Sequence, residues 1–436
     1  MRKKPLEIKG KLQSIIAEMA GTPWLFAKKP KKDFTRKRKL TFQNMLLLLL
    51  GMAGKTIRSE LLEFTGFQAD TATVSAFIQQ RAKLLPAALE FILHTFTPAP
   101  EDIKRVRGFR LLAVDGSDLH TPTNPQETES FIQTSTHAKG FNLLHLNALY
   151  DLTNGIYTDA ILQNRRNVNE HKALTALVDR SAISGKVLVI ADRGYEAYNN
   201  LAHIERKGWY YLIRVKDIAS AHGILSGLHL PDTETFDVLV NRVLTKKQTN
   251  AVKAAPERYR YLPHKANFDF LDLHENMFYP ISFRVVRFVL PNGAYETVIT
   301  NLPCHFSPDD LKAFYNLRWG IETAFRSVKY AVGLSAFHSK RTDFITQEVF
   351  AKLIMYNLVA MIASHAFIPK KSDRYVYQVN FSQAVHVCRA FLRCHDTRPP
   401  DVEALLRSCA IPIRPGRSFP RNLRFRQAVS FTYRIA

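Results

Sequence analysis

The sequence predicts an α/β fold: a mixed sheet core interrupted by a β-rich insertion, with helical regions at both ends. Three observations predict it. Apolar residues recur at helical spacing from Phe42 to Phe96 and again from Phe337 onward, whereas the stretch between them breaks into short apolar strands and turns. Within that stretch, three strand-like segments precede alternating helix and strand, an order that builds a mixed sheet with helices on both faces. At 436 residues, 46% of them apolar, the chain can bury the cores of two or three domains.

In the first helical region, Gly54 and Gly66 break the periodic stretches. Ile57 to Phe64, the turn Thr65-Gly66-Phe67, and Thr71 to Leu84 read as a helix-turn-helix or as an ordinary helical hairpin. The apolar run Met45 to Met52 is far shorter than the ~20 residues a membrane-spanning helix needs, and reads as a buried helix. Pro98 and Pro100 mark a boundary. Beyond it, Phe109 to Val114 is a short strand, and Leu144 to Tyr150 with Ile156 to Gln163 flank the turn Asp151-Leu152-Thr153-Asn154-Gly155 as an antiparallel hairpin. Asn169 to Ile183 is helical, Val187 to Ala191 a continuous apolar strand, Tyr195 to Lys207 helical, and Trp209 to Val215 a strand. That order matches a ribonuclease H-like core.

Strand-like runs at Phe236 to Val240 and Ile281 to Leu290, with Pro291-Asn292-Gly293 turning into Tyr295 to Thr300, make the next segment a mostly β insertion. A long helix then starts at Pro308, with Ser307 placed to cap it and Pro308 suited to its first turn. The chain therefore divides into a helical, basic N-terminal region (1–100), the first part of the core (101–216), the β-rich insertion (217–296), the second part of the core with the long helix (297–335) and a helical, Arg-rich C-terminal region (336–436).

Charge points to the partner. Sixty-one Lys and Arg against 38 Asp and Glu leave a net +23, which favours a polyanion and nucleic acid above all. Cations crowd Arg2 to Lys39, and Arg414, Arg417, Arg421, Arg424, Arg426 and Arg434 close the chain without an acidic residue among them. The four cysteines lack zinc-knuckle spacing, and no charged-then-apolar leader opens the chain, so a reduced, cytoplasmic protein is expected. His386, Cys388, Cys394 and His395 fall in a helix-like stretch where one face cannot gather all four.

Asp115 and Asp192 each follow an apolar strand, Leu111 to Val114 and Val187 to Ala191. On adjacent strands such carboxylates repel unless cations bridge them, and hard, oxygen-seeking ions such as Mg²⁺ suit that role. On the helix from Pro308 to Tyr330, Tyr315, Arg318, Glu322, Arg326 and Lys329 share one arc, while Phe314, Leu317, Ile321, Ala324 and Val328 share an apolar one. Periodicity alone fits a solvated face of ion pairs. With the aspartates, however, Glu322 completes a ligand set for two metal ions acting on a phosphodiester, and Arg and Lys beside it suit phosphate.

These residues resemble the DDE transposases of bacterial insertion sequences, specifically the insertion sequence four family with its Y-x2-R-x3-E-x6-K signature. Tyr315, Arg318, Glu322 and Lys329 match all four signature positions; Val114-Asp115-Gly116-Ser117 is similar to the family's D-G-[ST] motif, and Asp192-Arg193-Gly194-Tyr195 to its D-R-G-Y motif. The resemblance covers about Phe42 to Phe367. It implies catalytic metal binding by Asp115, Asp192 and Glu322, with Mg²⁺ as the ion and Mn²⁺ as a substitute, and DNA-end contacts by Tyr315, Arg318 and Lys329. Arg326 and Arg193 are further DNA-contact candidates, Arg193 and Tyr195 standing beside the second carboxylate or fixing the helix that follows. Asp118, Asp151 and Asp159 are read as decoys, Lys139, Arg165 and His171 as surface residues, and Trp209 and Trp319 as core aromatics. In related enzymes an aromatic of the β insertion holds a flipped base; here Tyr259, Tyr261 and Phe268 stand for it.

The expected function is cut-and-paste transposition: metal-dependent cleavage at transposon terminal inverted repeats, then strand transfer into target DNA, by a homodimer on double-stranded DNA with no membrane partner, in a bacterial cytoplasm and on the nucleoid when bound. The rival readings are an inactive or regulatory DNA-binding relative, and a nuclease without strand transfer.

Overall fold

The computed structural model describes residues 3–414, except 37, 136, 138, 217–222, 273, 291, 370–374 and 395–398. The first described element is a core helix. α1 (Lys3–Gly21) buries Leu12, Ile15, Ile16 and Met19, and the Lys9 ammonium donates to the carbonyls of Phe391 at 2.7 Å and Cys394 at 2.8 Å. The remaining N-terminal cations sit in the loop before α2 (Phe42–Gly51), with Lys29, Lys31, Lys32, Arg36 and Arg38 exposed. α3 (Ile57–Phe64), α4 (Val74–Arg81) and α5 (Ala87–Thr95) follow. Thr41, Thr56 and Thr73 start three of these helices, each hydroxyl accepting a backbone N–H from the first turn. Of the closing arginines, those beyond Arg414 lie outside the described residues.

The core elements are β1 (Arg110–Thr121), β2 (Phe131–Ile132), β3 (Phe141–Asp151), β4 (Ile156–Asn164), α6 (Glu170–Arg180), β5 (Val187–Ala191), α7 (Tyr198–Arg206) and β6 (Tyr210–Arg214). β4, β3 and β1 are antiparallel neighbours, whereas β1, β5 and β6 run parallel. The order β4-β3-β1-β5-β6 is that of a ribonuclease H-like sheet. The segment after it contributes β7 (Phe236–Thr245), α8 (Asn250–Ala254), β8 (Tyr259–Tyr261) and β9 (Phe278–Val289), followed by β10 (Tyr295–Thr300). Its strands do not fold apart: β10 pairs antiparallel with β6, β9 with β10, and β7 with β9, so the same sheet simply widens. Phe268, a candidate for holding a flipped base, is buried in that extension at 3% exposure and cannot receive one.

α9 (Pro308–Asn316), α10 (Trp319–Arg326), a π turn (Ser327–Ala331), α11 (Thr342–His365), β11 (Tyr377–Gln378), α12 (Phe381–Arg393), α13 (Val402–Ser408) and β12 (Ile411–Pro412) complete the described chain. Ser307 and Asp310 form a reciprocal capping box at the start of α9, with Pro308 in its first turn. The single helix expected from Pro308 to Tyr330 is broken. Leu317, Arg318, Gly320 and Ile321 donate to carbonyls three residues back, and Val332 donates five back to Ser327. A tighter turn advances each residue by roughly 120° instead of 100°. Leu317 and Trp319, both expected in the core, are thereby carried out to 45% and 58% exposure.

The two faces of the sheet are covered differently. α6 and α7 pack Leu174, Leu177, Val178 and Leu201 on Leu112, Val114, Val187 and Val189. On the other face α9 sets Leu311 and Phe314 against Leu111, Leu188 and Ile190, and α10 sets Ile321, Ala324 and Phe325 beside Ala113. α11 is long and apolar enough to cross a membrane, yet here it lies buried between the N-terminal helices and β4.

Candidate active site

Asp115 lies inside a strand, not just past its end. β3 pairs with β1 all the way to Thr121, and only β5, on the other side, stops short. Arg110 faces Val187 and Ala113 faces Ile190; the same register, carried two residues on, sets Asp115 against Asp192, whose backbone is still extended. Neighbouring strands lie ~4.8 Å apart and alternate residues share a face. Both carboxylates therefore leave the sheet on the side that α9 and α10 cover, and Glu322 belongs to α10.

One arginine stands between two of them, Glu322 and Asp115. Arg318, only 8% exposed, donates from Nη2 to Glu322 Oε1 at 2.8 Å, and its Nη1 stands 4.0 Å from Asp115 Oδ2. Burial pushes the Asp115 carboxyl up to about 6; the Gly116 N–H and Arg318 oppose the rise, and the charges of Asp192 and Glu322 add to it. Asp115 Oδ1 accepts from Gly116 N and Asp192 Oδ1 from Gly194 N, both at 2.8 Å. Three carboxylates with one resident cation make a hard, oxygen-rich donor set that divalent ions fit.

The other predicted contacts divide by exposure. Arg326 and Arg193 stand exposed at the rim. Tyr315 is 6% exposed in the layer between α9 and the sheet, and burial, first among several causes, pushes its hydroxyl up to about 12. Lys329 is half-buried, donating to the Asp118 carbonyl at 2.8 Å, and desolvation lowers its pKa. Without DNA, Arg318 and Lys329 thus bond to groups of the protein itself, and Tyr315 is packed against the sheet.

Two residues that sequence reasoning did not single out, His145 and Glu170, stand behind β1, and Asp118, read as a decoy, joins them. His145 on β3 faces Asp118 across the strand pair; its Nδ1 lies 2.7 Å from Asp118 Oδ1 and its Nε2 3.0 Å from Glu170 Oε1. Burial alone would lower the imidazole, but the two carboxylates outweigh it and hold it at about 9, so it is a cation at neutral pH. Nothing in the linear spacing of 118, 145 and 170 announces this group, since it exists only through strand register. His171 is half-buried, hydrogen-bonded to Asn200 at 2.9 Å, and is not simply a surface residue.

Asp151 is a buried partner of Arg110. Among the described residues, Glu90, His94 and Asp159 also gather potential ligand atoms within 4.8 Å of one another. Arg180 already fills that cluster, bonding Asp159 at 2.6 and 2.7 Å and Glu90 at 3.0 Å, so it reads as an ion-pair staple between α5 and the core, not as a metal centre.

The sheet order defines the class as a ribonuclease H-like fold. Residues 107–358, more than half of the chain and inclusive of Asp115, Asp192 and Glu322, match the family described as the transposase DDE domain. The chain belongs to that family: it is a DDE transposase, an enzyme that acts on DNA, and the family uses divalent metal ions. Among solved structures, a cryo-EM piggyBac transposase synaptic complex with hairpin DNA is similar at 9% identity, over 89% of this chain and 80% of that one, with a TM-score of 0.44. No curated protein matches the chain.

Proposed function

We propose that this transposase moves DNA by cut and paste, that it is of the insertion-sequence-four kind with the signature Tyr315, Arg318, Glu322 and Lys329, and that Asp115, Asp192 and Glu322 are its catalytic carboxylates. The observation that carries the reading is their convergence: two aspartates in register on parallel strands, and a glutamate on the helix over them, near enough that both other carboxylates raise the pKa of Asp115. Two Mg²⁺ ions, or Mn²⁺ in their place, would supply an activated nucleophile and a stabilised leaving oxygen for in-line displacement at phosphorus. Asp115 and Asp192 would hold the ions from the sheet side and Glu322 from the helix side. Arg318 keeps Glu322 aimed inward, Lys329 ties the helix end to β1, and the exposed Arg326 and Arg193 contact DNA phosphates. The same site serves hydrolysis at a terminal inverted repeat and attack of the exposed 3′-hydroxyl on target DNA, with a homodimer joining two ends.

The test supplies transposon ends with a free 3′-hydroxyl and a target plasmid in Mg²⁺. Wild-type protein is expected to yield joined DNA, and Glu322→Gln, which keeps size but removes charge, to lose cleavage and joining at least a hundredfold while still binding ends. Cut but never joined DNA would make the protein a nuclease. Near-normal joining by Glu322→Gln would place the third carboxylate elsewhere.

A further inference from the structure

Gly116 and Gly194, the glycines beside the two aspartates, report on a second layer of the site. A Cβ on Gly116 would lie 2.3 Å from His145 Nε2 and 2.6 Å from Glu170 Oε1, so a side chain there would force that pair to shift. A Cβ on Gly194 would lie 3.0 Å from Asp192 Oδ1 and 3.8 Å from Glu170 Oε2. Glu170, in the first turn of α6, therefore gives one oxygen to His145 and turns the other toward the loop that holds Asp192. Beneath the same loop Tyr195 is 1% exposed, and its hydroxyl has no hydrogen-bond partner among the described residues. The carboxylates that act on that hydroxyl are Glu170 first, then Asp115 and Asp192. Asn147, opposite Gly116 in the strand pair and fully buried, also leaves its Oδ1 unpartnered. Buried polar atoms are seldom left unpaired without a reason at a functional site or an ordered water to satisfy them.

We propose that Glu170 is a positioning carboxylate of the active site, held on one oxygen by His145, which Asp118 holds in turn, and that Glu170, together with the Tyr195 hydroxyl left free to donate to these carboxylates, orients Asp192 toward the divalent ions. Metal-binding carboxylates are aimed by the groups behind them, whose loss costs about 10–100-fold in metal affinity or activity. The protonated His145 lets Glu170 and Asp118 sit beside three further carboxylates by cancelling part of their charge. The Tyr195 O–H is the donor placed among Glu170 and the two aspartates. The D-R-G-Y sequence then has a local logic: Asp192 binds, Gly194 makes room for Glu170, and Tyr195 supplies the donor.

The proposal rests on Asp192 being a metal ligand, and the experiment separates the two. Mn²⁺ binding to the DNA-free full chain is measured by electron paramagnetic resonance, together with the melting temperature and with kcat and KM for end cleavage, in wild-type protein, Tyr195→Phe, Glu170→Gln and Asp192→Asn. Tyr195→Phe removes only an unpartnered hydroxyl, so the fold should be kept or slightly stabilised. Its Mn²⁺ affinity and kcat are expected to fall at least tenfold with KM for DNA unchanged, and Glu170→Gln should do the same. Wild-type Mn²⁺ affinity and kcat in Tyr195→Phe would overturn the proposal, whether or not Glu170→Gln folds. Asp192→Asn should abolish high-affinity Mn²⁺ binding; if it does not, the assignment of Asp192 itself fails.

Discussion

Arg318 neutralises charge among the carboxylates proposed to hold the divalent ions. Its guanidinium bonds Glu322 and faces Asp115, so it would compete with a metal for the same oxygens. Removing it should therefore separate binding from catalysis. Arg318→Ala is expected to bind Mn²⁺ more tightly than wild-type protein in the absence of DNA, because a competing cation is gone. End cleavage should drop at least a hundredfold, because Glu322 loses its anchor and the phosphate a nearby charge. Weaker Mn²⁺ binding in Arg318→Ala, by calorimetry, would show that the arginine only shapes the pocket. Arg318→Lys should recover little, since a point charge cannot copy two directed N–H groups.

At the scale of elements, the N-terminal helices are fixed to α11 by a buried polar network. Arg81 on α4, 1% exposed, donates to Gln347 and Glu348, each at 2.9 Å, and to the Phe344 carbonyl, while Lys352 donates to the Met52 and Ala53 carbonyls. His338 completes it, its Nδ1 3.1 Å from Glu348 Oε2. Burial alone would raise the Glu348 carboxyl, but Arg81, His338 and Lys352 hold it down at about 2. Its folded value is thus below its ordinary 4.5, so the stability it contributes is complete above pH 4.5 and is lost as pH falls toward 2. Glu348→Ala strands the Arg81 charge and should cost about 3–5 kcal/mol in urea unfolding at pH 7. Glu348→Gln should flatten the loss of stability between pH 4.5 and pH 2. An unchanged acid slope would mean that other carboxylates dominate there.

For the whole molecule, the net charge of +23 is distributed unevenly. Lys28 pairs with Asp343 and Lys39 with Asp70, and Lys9 is internal, so the exposed Lys29, Lys31 and Lys32, with Arg36 and Arg38 after them, remain N-terminal cations placed for phosphate. Each lysine withdrawn from a phosphate should lower the slope of log affinity against log salt by about 0.9. Changing the three lysines to alanine is expected to reduce that slope and weaken DNA binding without altering the melting temperature. An unchanged slope would show that this loop stays clear of DNA. Deleting the whole N-terminal segment would not test this, because α1 is part of the main hydrophobic core and its loss would unfold the helical layer.

The sequence by itself determined the periods and the chemistry. The alternation of strands and helices from Phe109 to Val215 gave a ribonuclease H-like order, the cap at Ser307 and Pro308 located α9, and Asp115, Asp192 and Glu322 stood out by their motifs. Such features are local, written within a turn of helix or a few residues of strand. Tertiary structure decided what depends on partners. The strands of the insertion joined the main sheet because β10 found the edge of β6. The break at Leu317 to Ile321 changed which side chains α10 shows to solvent, an outcome hidden from any periodicity that assumes a uniform rotation per residue. Arg318 found a carboxylate partner in Glu322 and Lys329 a carbonyl partner in Asp118, pairings that no spacing along the chain prints. His145, Asp118 and Glu170 met only through the register of β1 on β3 and the placement of α6, since residues far apart in the chain become neighbours only once strands are paired and helices packed.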